Sequence, residues 1–252
     1  MTQILAIANQ KGGVGKTTTA INLGAALAAL EHRVLLVDCD PQGNATRGVG
    51  AAADPPHLYH VLSEGVPAER AVRPSGFPNL DLLPADRDLV GVEVEFVGEE
   101  GWEGRLARAL APVVGGYDTV LLDCPPSLGH LTVAALAAAD GVLVPLQCEY
   151  YALEGVSELV STIRRVQGGI NRRLRVAGVL LTMYDDRTNL SRDVAEEIRR
   201  HFAGSVYETV IPRNVRLAEA PSHGLPVLQY DIRCRGAEAY LAAAREMLRR
   251  AA

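Results

Sequence analysis

Residues Ala8 to Thr19 read A-N-Q-K-G-G-V-G-K-T-T-T, directly after the apolar run Ile4-Leu5-Ala6-Ile7. They lead straight into Ala20-Ile21-Asn22-Leu23-Gly24-Ala25-Ala26-Leu27, which has the composition of a buried helix. Strand, glycine loop and helix in this order form the context that a phosphate-binding loop requires. Gly12, Gly13 and Gly15 let successive backbone N–H groups turn inward with no Cβ in the way. The helix after them adds the positive end of its dipole, which suits an anion. In such a loop, Lys11 to Thr18 wrap the phosphates. Lys16 reaches the β- and γ-phosphates and the Thr17 hydroxyl ligates Mg2+, while Val14 and Thr18 belong to the wrapping segment.

One position departs from the general pattern. G-x-x-x-x-G-K-[ST] asks for glycine five residues before Gly15, and Gln10 stands there. A second lysine, Lys11, precedes Gly12-Gly13 instead. Of the 25 basic residues only Lys11 and Lys16 are lysines; all the others are arginines. A chain that uses arginine wherever it will serve keeps lysine where a slim ammonium has to fit among phosphates and a planar guanidinium would not.

Around this loop the chain alternates. Apolar runs with the length of buried parallel strands occur at Ile4–Ala8, Val34–Val37, Leu80–Leu83, Thr119–Leu122, Gly141–Leu146 and Val176–Leu181, with Val206–Ile211 as a further candidate. Helical segments are expected at Thr17–Leu30, about Asp86–Leu110, Leu131–Ala138, Leu153–Gln167, Leu190–Phe202 and Ala237–Arg250. In the fifth of these, Leu190, Val194, Ile198 and Phe202 recur every four residues and predict one apolar face. The expectation is an α/β fold, a doubly wound and mostly parallel sheet flanked by helices, with ligands at the carboxyl ends of the strands. The 252 residues, 48% of them hydrophobic, suit a single domain spanning 1–252. The proline-rich stretches at 51–56 and 74–78 read as surface loops.

Two carboxylates fall where phosphate chemistry needs them. The second strand runs into Asp38-Cys39-Asp40-Pro41-Gln42-Gly43, which sets Asp40 beside the loop, able to orient water and to join the surroundings of Mg2+. Asp38, two residues earlier, is ambiguous between the faces of the strand. The fourth run closes on Asp123 before Cys124-Pro125-Pro126, the pattern of a strand whose terminal aspartate binds Mg2+ directly or through water.

K-G-G-x-G-K-[ST]-T closely resembles the deviant phosphate loop of the ParA/MinD group of P-loop ATPases. The resemblance continues through D-x-D-P-Q-G, D-x-P-P-S, Tyr150–Gly155, Pro212–Gly224 and the R-G-A-E-A-Y segment at Arg235–Tyr240. It is nearest to the short ParA/Soj chromosome-partitioning ATPases, which lack an N-terminal helix-turn-helix arm, as this sequence does. The resemblance implies an Mg2+-dependent ATPase with Asp40 as the hydrolytic residue and Lys11 crossing a dimer interface to the partner's nucleotide. It also implies adenine contacts from Pro212 and Asn214. The stretch Thr182–Asp185 stands where GTPases carry [NT]-K-x-D, but Met183 replaces the lysine, which favours ATP. Further implications are an ATP-dependent homodimer and binding to double-stranded DNA without sequence preference through Arg187 and Arg216. A ParB-like partner would stimulate hydrolysis.

Charge is consistent with a polyanion partner for the second part of the chain. Residues 1–150 balance at −9 and residues 151–252 at +4, within a net charge of −5. No signal sequence or membrane span is visible, so a cytoplasmic protein is expected, and the resemblance implies that it is nucleoid-associated. Cys39, Cys124, Cys148 and Cys234 form no C-x-x-C pair, which fits free thiols and argues against the iron–sulfur reductases that share the loop. The alternative is a MinD-like membrane-associated ATPase, which needs an amphipathic terminal helix. Here the last helix offers mostly alanine on its apolar face and should pack on the sheet.

Overall fold

The computed structural model describes residues 2–149 and 152–251; Tyr150 and Tyr151, part of one resemblance segment, lie outside them. The chain begins with β1 (Gln3–Ile7), α1 (Lys16–Ala29) and β2 (Val34–Asp38). Short elements follow: α2 (Asn44–Gly48), α3 (Leu58–Ser63), α4 (Ala68–Ala71), β3 (Arg73–Pro74) and β4 (Leu80–Leu83). Next come α5 (Val90–Glu95), α6 (Arg105–Val114), β5 (Thr119–Asp123), α7 (His130–Ala138) and β6 (Gly141–Gln147). The last part holds α8 (Ala152–Gly169), β7 (Arg175–Tyr184), α9 (Asn189–His201), β8 (Val206–Pro212), α10 (Val215–Glu219), α11 (Val227–Tyr230) and α12 (Arg235–Ala251).

Eight strands form one sheet in the order β3-β4-β2-β5-β1-β6-β7-β8. Every pairing is parallel except that of β3 with β4. The apolar runs stay continuous because both faces of the sheet are covered. Val120 and Leu122 of β5 join the layer containing α6 and α7. Leu121 between them joins the opposite layer with α1 and α12. Burying one such leucine is worth about 1.5–3 kcal/mol. The connection leaving β1 runs to β2, on the β5 side, whereas β6, β7 and β8 lie on the other side of β1. The end of β1 is therefore the switch point at which α/β sheets open a crevice.

All seven expected strands form, and β8, the further candidate, is among them. The expected helix over 86–110 does not form as one piece. A 3-10 turn at Arg87–Leu89 leads into α5, and a second at Trp102–Gly104 leads into α6. Gly98 and Gly101 between the helices have φ of 79° and 75°, left-handed values that no α-helix accommodates. Leu190 also departs from expectation: it is exposed, while Val194 and Ile198 of the same helix are buried. The terminal helix packs as expected, burying Ala237, Tyr240, Ala243, Ala244 and Met247. Pro74, read as loop, pairs with Asp81 in the two-residue β3.

Candidate functional site

The segment from Ala8 to Gly15 is held at both ends. Asn9, buried, donates through Nδ2 to the Pro145 carbonyl at 2.7 Å, and its Oδ1 accepts the Lys11 N–H at 3.0 Å. Thr182, near the end of β7, donates through Oγ1 to the Val14 carbonyl at 2.9 Å. Between these anchors Gly13 and Gly15 take φ of 75° and 86°. Gly15 caps α1 without a side-chain bond, and the first turn carries no acidic residue. The leading N–H groups of α1 are thus left to an anion. A Cβ on Gly12 or Gly13 would meet nothing within 4 Å, so the inner wall of the loop is open.

It opens onto a cleft of about 260 Å³ lined by Gly12, Gly13, Gly15, Lys16, Thr17, Thr18, Asp40, Asn44, Pro126 and Met183. Lys16 is nearly buried, and its Nζ donates to the Lys11 carbonyl at 3.1 Å. Burial pulls its pKa down, against the pull of Asp123, Cys124 and Asp40 upward. Strand register carries the acids to the same place: Asp123 lies opposite both Ile7 and Asp38.

The two strand-end carboxylates differ. Asp38 Oδ2 accepts from the Thr46 N–H at 2.8 Å and the Thr46 hydroxyl at 2.7 Å, and Oδ1 from the Asp40 N–H at 3.2 Å. It shapes the turn that carries Asp40. Burial, partly offset by these bonds, pushes its pKa up to about 6. Asp123 is equally buried, yet among the described residues neither of its oxygens has a hydrogen-bond partner. Burial, then repulsion from Asp38, raise its pKa well above the ordinary value; the nearby Thr17 hydroxyl favours the charged form without reaching hydrogen-bond geometry. A buried carboxylate with both oxygens orphaned, beside a hydroxyl, suits a hard divalent cation. Asp40, 6% exposed, uses Oδ1 to accept the Gln42 N–H at 2.9 Å.

A second hollow of about 220 Å³ adjoins the first, sharing Gly15, Thr18 and Met183. Pro212 and Asn214 line it, with Ile211, Leu217 and Tyr240 supplying apolar wall. Asn214 Oδ1 caps α10 by accepting the Arg216 N–H at 2.9 Å, which orients the amide.

A sequence profile described as AAA domain matches residues 2–176. The chromosome partitioning protein ParA of Caulobacter vibrioides is 55% identical over 252 residues, covering 98% of this chain and 94% of that protein. The sporulation initiation inhibitor protein Soj of Bacillus subtilis is 54% identical over 249 residues, with 98% of each chain covered. The chain belongs to the ParA/Soj family. Among solved structures, a Mycobacterium smegmatis protein named cobyrinic acid a,c-diamide synthase, with bound ADP and magnesium, superposes with a TM-score of 0.87. It is 42% identical, covering 99% of this chain and 95% of that one.

In this ParA/Soj chain, Lys11 stands outside its own cleft. Its Nζ pairs with Glu149 Oε2 at 3.2 Å, half-exposed, and the Gln147 amide holds the other oxygen of Glu149. Arg187 and Arg216 lie apart from the cleft lining, at the loop after β7 and in α10. Arg187 forks onto Asp185 at 2.8 and 2.7 Å; its guanidinium holds that carboxyl below the usual range. Arg216 pairs with Glu219 at 2.8 Å and Asp231 at 3.4 Å. The sequence did not single out Asn9 or Glu149, and it marked Thr182 only within the stretch compared with [NT]-K-x-D, not as an anchor of the loop. Asn9 had a signal, a polar residue directly after an apolar strand; Glu149 and Thr182 act through contacts more than a hundred residues away in the chain.

Proposed function

We propose that the chain is an ATP-dependent DNA-partitioning ATPase, cytoplasmic and nucleoid-associated. ATP with Mg2+ occupies the joined hollows, phosphates against the loop and adenine between Pro212 and Asn214. The Asn214 amide nitrogen remains free to donate to the base, since its oxygen is engaged in capping. Lys16 exchanges the Lys11 carbonyl for phosphate oxygens. Thr17 and Asp123 hold the cation, with Asp40 close enough to take part. Magnesium, when bound, supplies Lewis-acid stabilisation of charge on the phosphates. Asp40 orients the attacking water, its carboxylate steadied by the Gln42 N–H.

The observation that carries the switch is the direction of Lys11. Lys11 lies outside the lining of its own cleft and turns to Glu149 at its edge, a position that supports a role toward a nucleotide other than its own. We infer that it crosses to the nucleotide of a second copy, making a sandwich homodimer that forms only with ATP. That dimer binds double-stranded DNA without sequence preference, and a ParB-like partner stimulates hydrolysis and resets it. The membrane alternative finds no support in α12, whose apolar residues are buried against the body of the protein. Among the described residues no helix is long and apolar enough to cross a membrane.

The decisive experiment separates binding from dimerisation. Lys11→Ala should bind ATP nearly as the wild type does, yet remain monomeric with ATP in analytical ultracentrifugation. Glu149→Gln, which frees Lys11, should dimerise at lower protein concentration than wild type. ATP-dependent dimers of normal strength in Lys11→Ala would remove the crossing role.

A further inference from the structure

A second group of ligating side chains lies outside both hollows. The geometry points to a binding site for one divalent transition ion of the zinc class, formed by His57, Asp86 and Asp88. The ion would staple the start of α3 to the turn that follows β4.

His57 is fully buried; its Nδ1 faces the His60 N–H across a capping box without a well-formed bond, and among the described residues its Nε2 has no partner in hydrogen-bond geometry. A buried Nε2 left so is unusual, because burial removes water and offers nothing in return. The ring nevertheless stands beside two carboxylates: Nε2 is 3.2 Å from Asp86 Oδ1 and 4.0 Å from Asp88 Oδ2. All three donor atoms lie within 4.8 Å of one another. Ligand bonds of about 2.0–2.2 Å bring donors around a tetrahedral ion roughly 3.3–3.6 Å apart. Asp86, at 3.2 Å, is just inside that separation. Asp88, 66% exposed, can close the remaining gap by swinging its side chain inward.

The backbone holds the three residues in place. The Leu58 N–H donates to the Pro84 carbonyl at 2.9 Å, tying the start of α3 to the turn. Asp86 Oδ1 accepts the Asp88 N–H at 2.9 Å, and His60 Nδ1 takes the His57 N–H at 3.3 Å. A pairing of His57 Nε2 with Asp86 alone is the simpler reading, but it leaves the Asp88 carboxylate on the same side of the ring unused. The neutral ring is the form that ligates a metal. The nearby Arg73 guanidinium is tied to the carbonyls of Asp54 and Pro56, and its influence on His57 is the smallest of those acting. One nitrogen with two carboxylates selects the zinc class over magnesium or calcium, which prefer oxygen alone. Three protein ligands leave room for water.

The test is calorimetric titration of the chelator-treated, nucleotide-free full chain with Zn2+. It is run beside Asp88→Asn, Asp86→Asn/Asp88→Asn and Asp123→Asn. The wild type should bind one ion that weakens at least about tenfold in Asp88→Asn and is lost in the double variant. That ion should be unchanged in Asp123→Asn, which separates it from the nucleotide cleft. Co2+ in the same site should give visible d–d absorption without a thiolate charge-transfer band, which excludes Cys234. The exposed position of Asp88 makes that variant safe for folding, and retained nucleotide binding checks it. Equal Zn2+ affinity in wild type and double variant, no binding below about millimolar, or a thiolate band would each overturn the site.

Discussion

Asp38 and Asp123 stand in register at the ends of neighbouring strands, and the protein treats them differently. Asp38 is spent on the turn that carries Asp40; Asp123 is left with no partner. Both pKa values are raised in the folded state, so the native protein binds more protons than the unfolded chain above the ordinary carboxylate value. The stability of the nucleotide-free protein should therefore fall as pH rises from about 3.8 through about 6, where Asp38 titrates, and beyond as Asp123 does. Asp123→Asn removes a buried carboxyl whose ionisation burial opposes. It should stabilise the nucleotide-free protein near neutrality by about 1–3 kcal/mol in urea unfolding, and flatten the pH profile. The same change should weaken the Mg2+ requirement for nucleotide binding. A less stable variant with an unaltered pH profile would refute the account. Asp40→Ala should keep ATP binding and lose about 10²–10⁴ in turnover, whereas Lys16→Ala should lose binding itself. Turnover of Asp40→Ala within threefold of wild type would remove Asp40 from the chemistry. The loop lysines and Asp123 stand out in the sequence because a phosphate-binding pattern fixes residue type and spacing, whereas Asp38 stays ambiguous between the faces of its strand. The division of labour between Asp38 and Asp123 is not legible there, because it depends on Thr46 and on burial rather than on spacing.

Elements show the same boundary. Strands buried on both faces announce themselves as unbroken apolar runs, and α1 follows from its loop. The segment 86–110 misleads because its apolar residues recur at helical intervals on both sides of the break. Only the left-handed Gly98 and Gly101 decide the matter, and glycine is compatible with either outcome in sequence. Elements of four to six residues such as α2, α4 and α11 lack the length for any periodicity. Another feature hidden from sequence is Glu246 of α12. It is 4% exposed and accepts the N–H groups of Glu208 at 2.8 Å and Thr209 at 2.9 Å on the edge strand β8, while pairing with Arg250. A solvated helix face is what its position suggests. Glu246→Ala should cost about 2–3 kcal/mol in chemical unfolding, because it orphans two backbone donors. Glu246→Gln should recover part of that. A loss below about 0.5 kcal/mol for the alanine variant, the range of ordinary surface changes, would mean β8 finds other partners.

For the molecule as a whole, the expected DNA surface has to work despite local neutralisation. Arg187 is engaged by Asp185, and Arg216 by Glu219 and Asp231. A single protomer therefore offers little unpaired positive charge at either position, within a chain whose net charge is −5. In the proposed dimer, two protomers side by side would present four guanidinium groups to one duplex, and phosphates can compete for arginines that lie on the surface. Binding should consequently require ATP, ignore sequence and weaken steeply with salt, with a slope near −0.9 for each phosphate neutralised. Asp185→Asn frees Arg187 without adding charge elsewhere and should tighten DNA binding at a given salt concentration. The double variant Arg187→Glu/Arg216→Glu should dimerise with ATP and fail to retard DNA. Dimerisation and DNA binding have to be read on one preparation, since loss of the dimer would imitate loss of the surface. Should that double variant dimerise and still shift DNA with the wild-type salt slope, the arginines of α9, Arg192, Arg199 and Arg200, become the surface to test.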